Sequence, residues 1–134
     1  MIEFSTVPFR VRYSETDQMG FVHHSNYLKY FEVARLEWLN KIGISYKKIE
    51  EDGILLPVIY SEIKYLFPLK FDDTFIINVG IEEIPSSRLK LNYEIEKNNN
   101  KKICFGKIHL AFLNSKSHKP VRAPEKLILK FKRL

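Results

Sequence analysis

The sequence predicts an α+β domain in which a curled antiparallel sheet wraps one long helix. Three observations point there. Residues 25–41 show a helical period with apolar side chains on most sides, the mark of a helix enclosed by other elements. Beyond residue 53 the period changes to alternation, which suits strands. At 134 residues the chain has room for one domain, residues 1–134, and its 45% hydrophobic content can fill a core.

Taken in order, residues 3–13 alternate loosely, with Phe4, Phe9, Val11 and Tyr13 set against Arg10 and Arg12. This predicts a strand interrupted by Pro8, which has no N–H to give to a ladder. A polar loop, residues 14–24, follows and carries the Gly20 break. The helix runs from Ser25 to Lys41, with Tyr27, Leu28, Tyr30, Phe31, Val33, Ala34, Leu36, Trp38 and Leu39 as its apolar positions. Ser25-Asn26 suits its start, because a side-chain oxygen there can accept a free backbone N–H. Glu32 interrupts the apolar girth, with Arg35 one turn on as its partner. Gly43 is a natural stop.

A short helical piece, Ser45 to Glu51, ends at Asp52-Gly53. Leu56 to Leu66 reads as a strand that Pro68 ends. Thr74 to Ile84 is another, with Phe75, Ile77, Val79 and Ile81 on one face, and Pro85-Ser86-Ser87 is a turn. Arg88 to Lys97 alternates cleanly. Asn98-Asn99-Asn100 supplies residues that tolerate positive φ, as a tight hairpin needs, and Lys102 to Leu113 returns as its partner. Residues 114–125 form a polar loop, and Lys126 to Phe131 closes the chain.

The net charge of +6 favours an anionic partner, such as a phosphorylated cofactor or an acidic carrier protein. The basic residues are scattered rather than grouped in one arm, which speaks against nucleic acid. Cys104 is the single cysteine, so no internal disulfide forms, and within a strand it reads as a small buried hydrophobe. The N-terminus lacks a basic start followed by an apolar run, and no stretch approaches the roughly 18 apolar residues of a membrane span. These features predict a soluble, cytoplasmic protein.

The chemistry concentrates between Tyr13 and Trp38. Asp17 lies in the loop just before the helix, whose first turn offers unpaired N–H groups and a partial positive charge. Such an end can hold a negatively charged oxygen. One carboxylate beside one anion-stabilising helix end is a minimal kit for hydrolysing an ester-like bond. A metal is not expected, since adjacent His23 and His24 do not converge on one ion and no third histidine or cysteine has ligand spacing.

The run YSETDQMGFVHHSNYLKYFEVARLEWL resembles the hotdog-fold thioesterases of the 4-hydroxybenzoyl-CoA thioesterase family, and most of all the acyl-CoA thioesterases of the bacterial branch associated with the Tol-Pal gene cluster. The shared pattern is Thr16-Asp17, Gly20, Val22, His24, Asn26-Tyr27 and the Glu32–Arg35 helix, with Lys119-Pro120 further on. The resemblance implies a homodimer with active sites at the subunit junction, often paired again into a tetramer, and hydrolysis of an acyl thioester without metal or organic cofactor. It gives Asp17 the role of nucleophile or of general base towards water. It gives the backbone N–H of His24 the oxyanion. The His24 imidazole can orient water or donate to the thioester, and His23 reads as structural or exposed.

Gly20 would let substrate pass close to the loop. Val22, Tyr27 and Glu32 would line the acyl pocket or its hydrogen-bond network, with Glu32 a reserve catalytic carboxylate. Arg88, Lys90, Lys119 and Arg122 are the candidates for the phosphates of CoA, and Phe31, Tyr60 and Tyr65 for limiting the acyl group. Three other readings stand beside acyl-CoA hydrolysis. They are hydrolysis of acyl groups on acyl carrier protein, a non-catalytic acyl-CoA-binding module, and a small nucleic-acid-binding β protein.

Overall fold

The computed structural model describes residues 1–134 apart from the side chain of Asn99. Its first strand is split, as Pro8 requires. The pieces β1 (Ile2–Ser5) and β2 (Phe9–Arg10) both pair antiparallel with β5 (Thr74–Ile81). Between them and the sheet's next strands come α1 (Ser25–Lys41) and α2 (Tyr46–Glu51), the latter begun by the Ser45 hydroxyl, which accepts the Lys48 N–H at 3.1 Å.

The strand expected over 56–66 is β4 (Val58–Tyr65), and a separate short strand, β3 (Ile54–Leu55), precedes it. Pro57 cannot continue a ladder, and its carbonyl instead accepts the Ala111 N–H at 3.1 Å. β6 (Arg88–Lys97) has the bounds its alternation predicts, and β7 (Lys101–Ala111) returns from a hairpin in which Asn100 takes φ +60°. β8 (Leu113–Asn114) pairs with β3, and α3 (Glu125–Lys132) closes the chain. The main sheet is antiparallel throughout, in the order β1-β5-β6-β7-β4 with β2 alongside β5.

α1 turns Tyr27, Tyr30, Phe31, Ala34, Trp38 and Leu39 onto the sheet face that carries Ile77, Val79, Leu89, Leu91 and Ile95. Phe31 stacks on Tyr93 with centroids 4.4 Å apart, and Tyr30 packs on Phe75 at 4.9 Å. Burying each such side chain contributes roughly 1.5–3 kcal/mol. Gly106 makes the Phe31 seat possible, because a Cβ there would lie 2.8 Å from Cζ of the ring.

Enclosure of α1 is one-sided. Leu28 and Val33 remain 42% and 47% exposed, and Glu32 is exposed with them. Their outward position follows from the 3.6-residue period, since the buried set recurs at i, i+3 and i+4. The expected Glu32–Arg35 pair does not form. Arg35 turns inward to 6% exposure, with its guanidinium 5.7 Å from the centre of the Tyr46 ring, whereas Glu32 points away from the core. Among the described residues, no helix is long and apolar enough to cross a membrane.

Candidate active site

Asp17 is held by its own loop. Its N–H donates to the Phe21 carbonyl at 2.8 Å, and its carbonyl accepts the Gly20 N–H at 3.0 Å. Its Oδ1 accepts the N–H groups of Met19 at 2.9 Å and Phe21 at 3.3 Å. Aspartate closes such turns because its short side chain reaches the backbone two residues on. Oδ2 accepts nothing from the protein among the described residues. The limbs of the loop bridge at Thr16 and Val22, and the Val22 N–H donates to the Leu69 carbonyl at 2.8 Å, which fastens the loop to the chain beyond β4.

The helix end is built differently from its sequence expectation. Ser25 and Asn26 do not cap it through their oxygens. The Ser25 N–H donates to Nδ1 of His23 at 3.2 Å, and the Asn26 amide donates to the Glu15 carbonyl at 2.8 Å. The His23 N–H reaches the same carbonyl at 2.8 Å. The loop supplies these acceptors, so the two side chains are released to tie loop to helix. His24 stands just before the first helical residue, with φ −56° and ψ −29°, its ring stacked on His23 at 4.2 Å. Its N–H has no protein acceptor among the described residues.

Asp17, His24, Val22 and Tyr27 line one cleft of about 340 Å³, whose other wall is Tyr65 to Pro68, past the end of β4. Tyr27 is buried, accepts the Leu69 N–H at 3.3 Å through its hydroxyl, and meets Tyr65 edge-on at 5.2 Å. Burial pushes its pKa up, so it stays a neutral phenol. Met19, Phe21, Leu66, Phe67 and Pro68 also line the cleft and were missed from the sequence. Their signal was the apolar pair Leu66-Phe67 placed directly before a strand-ending proline, where both remain exposed.

The other candidates lie elsewhere in the single chain. Gly20 is off the cleft wall, and a Cβ on it would meet nothing within 4 Å; its φ of +81° is what the turn requires. Glu32 sits on the outer side of α1. Arg88 and Lys90 are on the sheet's other face, where burial, and then Lys90, Arg88 and Lys107, depress the pKa of His109. Lys119 is exposed beyond β8, and Arg122 lines a separate cavity. Of the residues expected to limit the acyl group, Tyr65 is on the cleft, Tyr60 packs at a tilt against His109 at 5.0 Å, and Phe31 is locked in the core. Cys104 is buried as expected, its thiol pushed up to about 12 by burial.

Comparison with known proteins agrees with this architecture. Residues 11–131 match the Thioesterase-like superfamily. A putative acyl-CoA thioesterase, YneP of Bacillus subtilis, is 39% identical over 63% of this chain, a stretch spanning 62% of that protein's length. The chloroplastic acyl-acyl carrier protein thioesterase ATL3 of Arabidopsis thaliana is 30% identical over 98% of this chain and 69% of its own. The crystal structure of a DHNA-CoA thioesterase from Staphylococcus aureus superposes with a TM-score of 0.92 at 29% identity, covering 99% of this chain and 91% of that one. With a sheet laid over one central helix and these relatives, the chain belongs to the Thioesterase-like superfamily and is a hotdog-fold hydrolase of the thioesterase class.

Proposed function

We propose that this hydrolase cleaves acyl-CoA thioesters in the Asp17–His24 cleft. A thiol leaving group has a pKa of about 8.5, so thiolate departs without a strong general acid. What remains is to deliver an oxygen to the carbonyl carbon and to stabilise the charge that appears. Asp17 either attacks through Oδ2, giving a mixed anhydride that water then opens, or takes a proton from water as that water attacks. As the new C–O bond forms, the carbonyl oxygen becomes negative and accepts the His24 N–H. Collapse of the adduct breaks the C–S bond and releases the thiolate.

The reading is carried by one observation. His24, whose N–H has no protein acceptor among the described residues, lines the same cleft as Asp17, whose carboxylate is pinned through only one of its oxygens. A donor so placed is commonly worth about 100–1,000-fold in rate.

The working form in this reading is a dimer joined through β4. The free edge of β4 is unpaired among the described residues and exposes Val58, Ile59, Tyr60 and Tyr65, and such an edge invites another strand. Antiparallel pairing about a two-fold axis would bring Tyr65 of one copy near Val58 of the other. The Asp17 cleft would then continue into the partner's cavity of about 500 Å³, lined by Tyr46, Leu55, Leu56, Pro57 and Leu113, as an acyl pocket shared between subunits. Dimers would pair again into tetramers. Arg88 and Lys90, beside Lys107, form the cluster best suited to the phosphates of CoA. On the Thr16–Tyr27 motif we assign the chain to the 4-hydroxybenzoyl-CoA thioesterase family and its Tol-Pal-associated branch, acting in the cytoplasm.

The ATL3 likeness and the positive charge favour a second reading, in which the acyl group is carried by acyl carrier protein. Turnover on CoA and carrier-protein thioesters of one acyl chain separates the two. In a screen across acyl chain lengths, Asp17→Asn should lower kcat by about 10²–10⁴-fold. Full activity in that variant would overturn the mechanism.

A further inference from the structure

A largely apolar cavity lies apart from the Asp17 cleft. It lies where the end of α1 meets α2 and α3, and measures about 230 Å³. Its floor is Ile44, Ile49, Ile54 and Leu127, of which Ile44, Ile49 and Leu127 are buried. Its rim is cationic. Lys48, Arg122 and Lys126 line it, and Nζ of Lys130 comes within 3.3 Å of where a Cβ of Gly43 would stand. One carboxylate, Asp52, stands on the lining with them, and a second, Glu125, lies next to it in sequence beside Lys126. Asp52 is engaged by Lys48 at 3.2 Å, and Glu125 is in the first turn of α3, whose start has no side-chain cap. Arg122, Lys126 and Lys130 form no ion pair among the described residues.

An apolar floor takes up hydrocarbon, and unpaired cations at its mouth take up an anionic head. We propose that this cavity is a second binding site, distinct from the Asp17 cleft, for a medium-chain carboxylate, with its chain on the isoleucine floor and its head on the Arg122–Lys126 rim. The proposal rests on this cavity's own lining and stands whether or not Asp17 is the catalytic group.

The test is a titration of the full-length protein with octanoate, followed by backbone amide NMR shifts. Octanoate should bind saturably with shifts at Ile44, Ile49 and Leu127. Lys126→Glu, an exposed substitution, should weaken binding about tenfold, the equivalent of about 1.4 kcal/mol. Octanol, which has the chain without the charge, should bind more weakly than octanoate. Inorganic phosphate, which has the charge without the chain, should fail to displace it. The proposal is overturned if octanoate gives no saturable shifts, or moves only Val22 and Tyr27 of the other cleft. Unchanged affinity in Lys126→Glu, or displacement by phosphate alone, overturns it equally.

Discussion

The side-chain amide of Asn26 donates to the Glu15 carbonyl at 2.8 Å, joining the first turn of α1 to the loop that carries Asp17. The bond spans the two chemical halves of the site. In Asn26→Ala the loop loses this tie, and kcat should fall about 10–100-fold because small displacements of a reacting group are costly. Stability should fall by only about 1 kcal/mol, the worth of one hydrogen bond. Kinetics beside urea unfolding checks the split. A loss of activity no larger than the loss of folded protein would show that the bond does not position the site.

Gly106 and Phe31 compete for one volume. Gly106→Ala would set a methyl group into the phenyl ring, and overpacking of this kind costs about 1–3 kcal/mol. Phe31→Leu frees that space, so the double variant should lose less than the sum of the two single losses. Equilibrium denaturation of all three variants gives the coupling, and additive losses would contradict the contact.

If β4 joins the subunits, a charge on its exposed edge should separate them. Ile59→Lys lies at an exposed position, so the fold of one chain should change by no more than about 0.5 kcal/mol. Light scattering should report monomers, and thioesterase activity should fall with the loss of the shared cleft. A fully active variant that still assembles would place the interface elsewhere.

Alkali should weaken the fold for a stated reason. Burial raises the pKa of Tyr27, Tyr30, Tyr93 and the Cys104 thiol above their ordinary values. Unfolded thiols titrate at about 8.5 and phenols at about 10. Below those values both states hold their protons, and the full stability is present. Above them the unfolded chain sheds protons that the folded chain retains, so stability is lost as pH rises. The urea midpoint should therefore drop between about pH 8 and about pH 10.5. An unchanged midpoint would mean these groups ionise without unfolding.

Much of this was legible from residue order. The alternation of Leu89, Leu91, Tyr93 and Ile95 fixed β6, and the Asp17-to-Tyr27 motif marked four of the residues that meet on the cleft. What stayed hidden depends on contacts between segments far apart in the chain. Leu28 and Val33 look like core residues by type, and only the placement of the sheet shows that they face outward. The contacts at the helix start escaped because their acceptors, the Glu15 carbonyl for the Asn26 side chain and the His23 ring for the Ser25 N–H, lie outside the helix. Arg122 is read from the sequence as a candidate for the phosphates of CoA, and only the fold shows that it lines a different cavity from Asp17.

Asp17 and the free amide of His24 belong to one short, continuous piece of backbone, laced to itself and to the helix it precedes. The Tyr65–Pro68 wall comes from a remote segment. If Asp17 and His24 act as proposed, reagent and container are separately editable: the wall can be widened, narrowed or greased by substitution while the pair travels intact. A scaffold divided in that way can change its customers without relearning its trade.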